Sequence, residues 1–193
     1  MITREKFDFI KEKYGLYASW AVWANEDIGK PKSNTGDLTV LDPEINDKLL
    51  NQLNPDVVLV ALNISRGAIT DKLANFHDNR PEDTAFKIRF ALRDSPYWGG
   101  YMTDIIKDFE QKESGKMMSY LRDNKAVEQK NIEFFRQELK DIGAENPTVI
   151  AFGNDVFNIL KRNFEQEFKI LKVPHYADFI NKENYREQVK TIW

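Results

Sequence analysis

The sequence predicts a single α/β domain, a three-layer α/β/α sandwich around a short four-stranded parallel sheet. Asp56 to Leu62 gives a continuous apolar, β-branched run, the pattern of a strand covered on both faces. Three later segments resemble it: Tyr101 to Ile106, Thr148 to Phe152 ending at Gly153, and Phe168 to Val173 ending at Pro174. Stretches of helical period separate them, and strands alternating with helices imply right-handed crossovers and a parallel sheet with helices on both sides. A length of 193 residues supports one sizeable core, whereas two domains would each be small.

Thr3 is placed to cap a first helix carrying Phe7, Ile10 and Tyr14, with Gly15 as its stop. Residues 16 to 41 read as a long loop broken by Gly29, Pro31, Asn34 and Gly36; its Trp20 and Trp23 are expected to be buried against the sheet. Asp42-Pro43 reads as the start of a second helix, with Ile45, Leu49 and Leu53 as its buried stripe. Residues 1 to about 53 thus form a helical and loop extension of the 1–193 domain. Further helices are expected at 83–92, 131–142 with Gly143 after it, 155–164 and 182–192.

Hydrophobic residues at 41% and charged residues at 31% describe an ordinary folded chain. The apolar run is far too short to span a bilayer, and the opening Met-Ile-Thr-Arg-Glu-Lys lacks the centre of a secretion signal, so a cytoplasmic protein without membrane contact is expected. Without cysteine there is no disulfide framework, thiolate nucleophile or cysteine-bound zinc, and His77 and His175 are the only histidines; no metal or cofactor is expected. A net charge of −3 argues against a whole-surface attraction to nucleic acid. Local patches could be drawn from Lys87, Arg89 and Arg93, or from Lys161, Arg162, Lys169 and Lys172, but solvated helix faces are the simpler reading.

In parallel sheets ligands bind beyond the carboxyl ends of the strands. The first central strand runs out into Asn63-Ile64-Ser65-Arg66-Gly67, an amide, a hydroxyl and a guanidinium at a glycine turn. Asn63 could equally cap that turn. The last strand runs out into Val173-Pro174-His175-Tyr176-Ala177-Asp178.

Taken in order, these segments resemble the uracil-DNA glycosylase superfamily, most closely its mismatch-specific branch. There a central strand leads into Gly-Ile-Asn-Pro-Gly, to which Ala61-Leu62-Asn63 is similar. Asn75-Phe76-His77 followed by Asn79-Arg80 resembles the family segment that supplies a stacking aromatic. Tyr101-Met-Thr-Asp-Ile-Ile-Lys107 resembles its Thr-Asn strand, and Val173-Pro174-His175 its His-Pro-Ser signature. The resemblance runs from Asn54 to His175, and it implies the uracil-DNA glycosylase-like fold and a DNA repair hydrolase that cleaves the base–sugar bond of a flipped base.

On that resemblance Asn63 directs water to the sugar and His175 donates a hydrogen bond to the departing base. Phe76 is the stacking floor, worth about 1–3 kcal/mol per base, although a plain core phenylalanine is the other reading. Asp104 reads the base edge, or else binds backbone donors or a cation. Ser65, Arg66 and Tyr176 complete the substrate-binding set. The sequence departs from the family where Ile64 and Ser65 replace Pro-Gly, where Tyr176 and Ala177 replace Pro-Ser, and where Asp104 replaces the asparagine that reads uracil. An ionised aspartate only accepts, so it favours a ligand with two donors unless burial keeps it protonated.

Three functions remain open at this level. The chain could be a DNA glycosylase or related N-glycosidic hydrolase. It could be a non-catalytic module for a nucleic acid, nucleotide or protein, or a hydrolase using a metal on Asp104, Asp108 and Asp178.

Overall fold

The computed structural model describes every residue except 1, 65–68, 79, 81–82, 108, 110 and 112. Five strands form one sheet: β1 (Ala18–Trp20), β2 (Asn54–Asn63), β3 (Gly100–Ile106), β4 (Thr148–Phe152) and β5 (Lys169–Val173). Their order is β1-β3-β2-β4-β5. The last four run parallel, and β1 lies antiparallel on β3 with Ala18 opposite Thr103. The chain is therefore mixed α/β, with five strands rather than four among the described residues. The four expected strands are present, and the fifth comes from the stretch read as loop. At three residues, Ala18, Ser19 and Trp20, this strand is too short for a period to announce it.

Among the described residues seven α-helices pack on this sheet: α1 (Arg4–Tyr14), α2 (Leu49–Gln52), α3 (Phe86–Leu92), α4 (Ser114–Asp123), α5 (Lys125–Ile142), α6 (Asn154–Phe164) and α7 (Lys182–Lys190). Alternation along β2 sorts them. Val58, Val60 and Leu62 face one core with α1, α4, α5 and α6. Val57, Leu59 and Ala61 face the other with α3 and α7. A strand covered on both faces has to be apolar at every position, which is why β2 reads as an unbroken hydrophobic run. None of the helices among the described residues is long and apolar enough to cross a membrane.

The helix expected from Asp42-Pro43 forms only in its last turn, as α2, with Leu49 and Leu53 buried as expected. A 3-10 turn at Leu38–Leu41 is followed by the single turn of α2, and Ile45 is 66% exposed. The Asn46 amide donates to the Val40 carbonyl and its Oδ1 accepts from the Lys48 N–H, while Asp42 Oδ1 accepts from the Glu44 N–H. Such local bonds offer the backbone an alternative to the helical ladder. Residues 114–123 form α4, which was not expected, and α5 begins at Lys125, ahead of the expected Asn131.

Trp20 and Trp23 are buried, as expected; Trp20 meets Tyr101 edge-on, and Trp23 lies against His77 and Trp98. The loop around them is held from α3. Arg89, 1% exposed, donates from Nη1 to the carbonyls of Ala24 and Ser33, both at 2.9 Å, and from Nη2 to that of Pro31 at 2.8 Å. Arg93 forks onto Glu26 at 3.0 and 2.5 Å, and Lys87 donates to the Asp178 carbonyl at 3.0 Å. The first candidate basic patch is thus an internal clamp, while Arg162 of the second pairs with Glu128 and Lys161 with Glu165.

β2 has β3 on one side and β4 on the other, so the chain reverses its direction of travel across the sheet between them. Such a reversal opens a crevice at the carboxyl ends of the strands.

Candidate functional site

Asn63 closes β2, opposite Ile106 of β3. Its Nδ2 faces three backbone carbonyls, those of Ile64 at 2.9 Å, Phe109 at 3.0 Å and Gln111 at 2.9 Å. Both amide hydrogens are therefore engaged in holding the segment after β3 against the end of β2. Oδ1 has no protein partner among the described residues and is the atom this side chain can offer.

His175 follows β5. Its Nδ1 accepts the Ala177 N–H at 3.1 Å, so the neutral ring carries its proton on Nε2. Burial holds the imidazole below its usual pKa, opposed by Asp178 and reinforced by Lys87, which favours that neutral form. The ring stacks on Tyr176, with centroids 4.4 Å apart and planes at 22°. Gly153, at φ 91°, lets the chain turn from β4 into α6, and a Cβ there would already touch the His175 Cβ at 3.5 Å.

Asn63, His175 and Tyr176 line a cleft of about 830 Å³ across the mouths of β2, β4 and β5. Asn63 and Tyr176 also line a second cleft of about 500 Å³, together with Phe76, Asp104, Asn75 and His77. The residues expected to act together thus fall into two adjoining clefts with a shared wall. Ser65 and Arg66, also expected here, lie outside the described residues, as does Asp108.

Phe76 joins both of its readings. It packs in the core on the α3 side and is 7% exposed, yet it lines the second cleft, with Tyr176 edge-on at 6.5 Å. Its φ is 67°, a left-handed conformation rare for a bulky residue, and its carbonyl accepts the Trp23 Nε1–H at 3.3 Å.

Asp104 is 2% exposed. Burial pushes its pKa up to about 7, against the Asn75 hydrogen bond and Lys107, with Glu138 adding to the rise. Among the described residues its carboxyl has one protein hydrogen bond, from Asn75 Nδ2 to Oδ2 at 2.8 Å. The expected alternative, a pairing with a cation, does not form among the described residues. Lys107 turns to Glu138 at 2.9 Å and to the Thr103 hydroxyl at 3.1 Å, and gives Asp104 a hydrogen bond only at its backbone carbonyl.

Sequence reasoning missed this supporting network. Glu138 is fully buried and accepts from the hydroxyls of Tyr101 at 2.7 Å and Thr103 at 2.8 Å. Its signal was present: it falls on the same helical stripe as Phe135, Leu139 and Ile142, where a carboxylate is out of place without a partner. Among the described residues, no three His, Asp or Glu side chains are grouped to hold a metal ion.

No family model, curated protein or solved structure matches the chain.

Proposed function

We propose that this chain hydrolyses the N-glycosidic bond of a nucleobase derivative on a uracil-DNA glycosylase-like fold. The base would sit between Phe76 and Asp104, and the sugar at Asn63 and His175. One observation carries the reading: Asn63 and Tyr176 line both clefts, so a ligand spanning the two meets these side chains.

As the bond from the sugar carbon to the base nitrogen breaks, positive charge grows on the sugar and negative charge on the base. Asn63 Oδ1 accepts a hydrogen bond from the attacking water and aims it; an amide is too weak a base to remove the proton, which leaves to solvent as the C–O bond forms. His175 Nε2–H meets the charge developing on the base oxygen. Groups that act in this way stabilise the transition state more than the bound substrate.

A non-catalytic module holding the same ligand is the second reading. The engagement of the Asn63 amide with three carbonyls favours it, because that residue would be retained for structure alone.

Offering uracil, hypoxanthine, xanthine and alkylated bases, in single- and double-stranded oligonucleotides and as free nucleosides, separates the two. Release of at least one base is expected. Asn63→Ala and His175→Ala, with folding confirmed, should each lower turnover about a hundredfold while binding changes less. Release of no base from any substrate sinks the hydrolase, and near-normal turnover in both variants sinks this pair.

A further inference from the structure

The second cleft holds a pair of side chains that are joined to each other and incompletely satisfied. Asn75 Nδ2 donates to the Tyr17 carbonyl at 2.7 Å and to Asp104 Oδ2 at 2.8 Å, which engages both of its hydrogens and fixes the amide orientation. What Asn75 retains is Oδ1, an acceptor. What Asp104 retains is its other oxygen, Oδ1. Neither has a protein partner among the described residues, and both side chains line the cleft. A buried carboxyl with one oxygen unmatched is costly unless a ligand or water meets it.

We infer that Asn75 and Asp104 together are the edge that reads the base, and that the proton on Asp104 selects the class of ligand held there. With Asp104 ionised the edge shows two acceptors and fits a planar group with two parallel N–H donors, an amidine or amino-imine edge. With the proton on Asp104 Oδ1 it shows an acceptor beside a donor. That fits an imide edge, a ring N–H next to a carbonyl, as in uracil or hypoxanthine. The inference rests on the reading of this cleft as a base site, and it makes Asn75 a specificity-determining residue that short-range sequence logic does not mark.

Among the described residues, the other charged and titratable groups near Asp104 come from its own strand, from α5 and from the loop lining the cleft. Lys107 on its own strand is paired with Glu138 of α5, beside the Tyr101 hydroxyl. In the loop lining the cleft Arg80 pairs with Asp78, Asp83 accepts the Ala85 N–H, and Asp71 lies at the rim. His77 is driven down to about 4 by burial, partly offset by the Trp20 and Thr35 carbonyls, and is neutral throughout. His175, beyond Tyr176, is held below its usual value by burial. The rise of Asp104 to about 7 places the exchange near neutrality.

The test is equilibrium binding of two probes, uracil and benzamidine, to the whole protein by calorimetry. Between about pH 6 and about pH 8.5, uracil affinity should fall about thirtyfold as the protonated fraction is lost, while benzamidine affinity rises. Asp104→Asn, nearly isosteric and permanently neutral, should bind uracil without pH dependence. Flat profiles for both probes with the unaltered protein, a crossover that survives Asp104→Asn, or no binding of either probe each overturns the inference. Because no bond is broken, a crossover without base release in any assay keeps the edge and rejects the hydrolase. Base release with flat binding profiles does the reverse.

Discussion

At α3, Arg89 gives its guanidinium to three backbone carbonyls and Arg93 forks onto Glu26; at the mouth of the sheet, Asn63, Asp104 and His175 each keep one polar atom without a protein partner among the described residues. Both regions are rich in charged and aromatic side chains, and both looked from composition like places where a ligand could bind. They differ in saturation. A polar group already matched by the fold has little left to offer, and the energy of its bonds goes into stability. A polar group left half-matched in a cleft weakens the free protein slightly and is available to a ligand.

The sharpest way to break this contrast is to delete the saturated group. Arg89→Ala leaves the carbonyls of Ala24, Pro31 and Ser33 without their donor, and should lower unfolding free energy by about 3 kcal/mol or more in urea titrations. A loss below about 1 kcal/mol would mean that water replaces the clamp and that α3 is not saturated in any useful sense.

Asp104→Asn probes the unsaturated side, and the direction reverses. The folded carboxyl titrates near 7, above the ordinary value of 3.8, so between those values the native state holds a proton that the unfolded chain has released. Stability therefore falls as pH rises through this window, and the penalty is complete above it. The neutral variant should melt a few degrees higher at about pH 8 and almost unchanged at about pH 4, where both forms are neutral. Destabilisation at both values would place Asp104 among the structural groups.

The smallest effect belongs to Lys161→Ala. Its contact with Glu165 is 3.4 Å long between side chains that are each about half exposed, and loss of such a pair should stay under about 0.5 kcal/mol. A larger change would show that the exposed face of α6 does more than meet solvent.

β2, β3 and β4 were legible because each is buried on both faces and so is largely apolar, whereas the edge strand β5, with Lys169 and Lys172 exposed, showed only Ile170, Leu171 and Val173. β1 was not legible, since three residues are too few to show a period, and the second helix was read as starting too early because a good start signal says nothing about the Asx bonds of Asn46 that compete with it. Asn63 and His175 could be picked out as strand exits. The partnership of Asn75 with Asp104 could not, because it joins a loop to a strand 29 residues away and depends on which amide hydrogens are already engaged. His77 is held under Trp23 at 5% exposure, a placement that no sequence pattern marked.

β1 has its strand partner, β3, near the middle of the chain, and the arginine that pins the following loop is on α3. A polypeptide made from its amino end therefore produces Trp20 and Trp23 well before anything exists to cover them. Until β3 and α3 have been made, this stretch has neither a ladder nor a clamp and stays an apolar tail. The first strand in sequence, at one edge of the sheet, thus has to wait for the middle of the chain before it can pair.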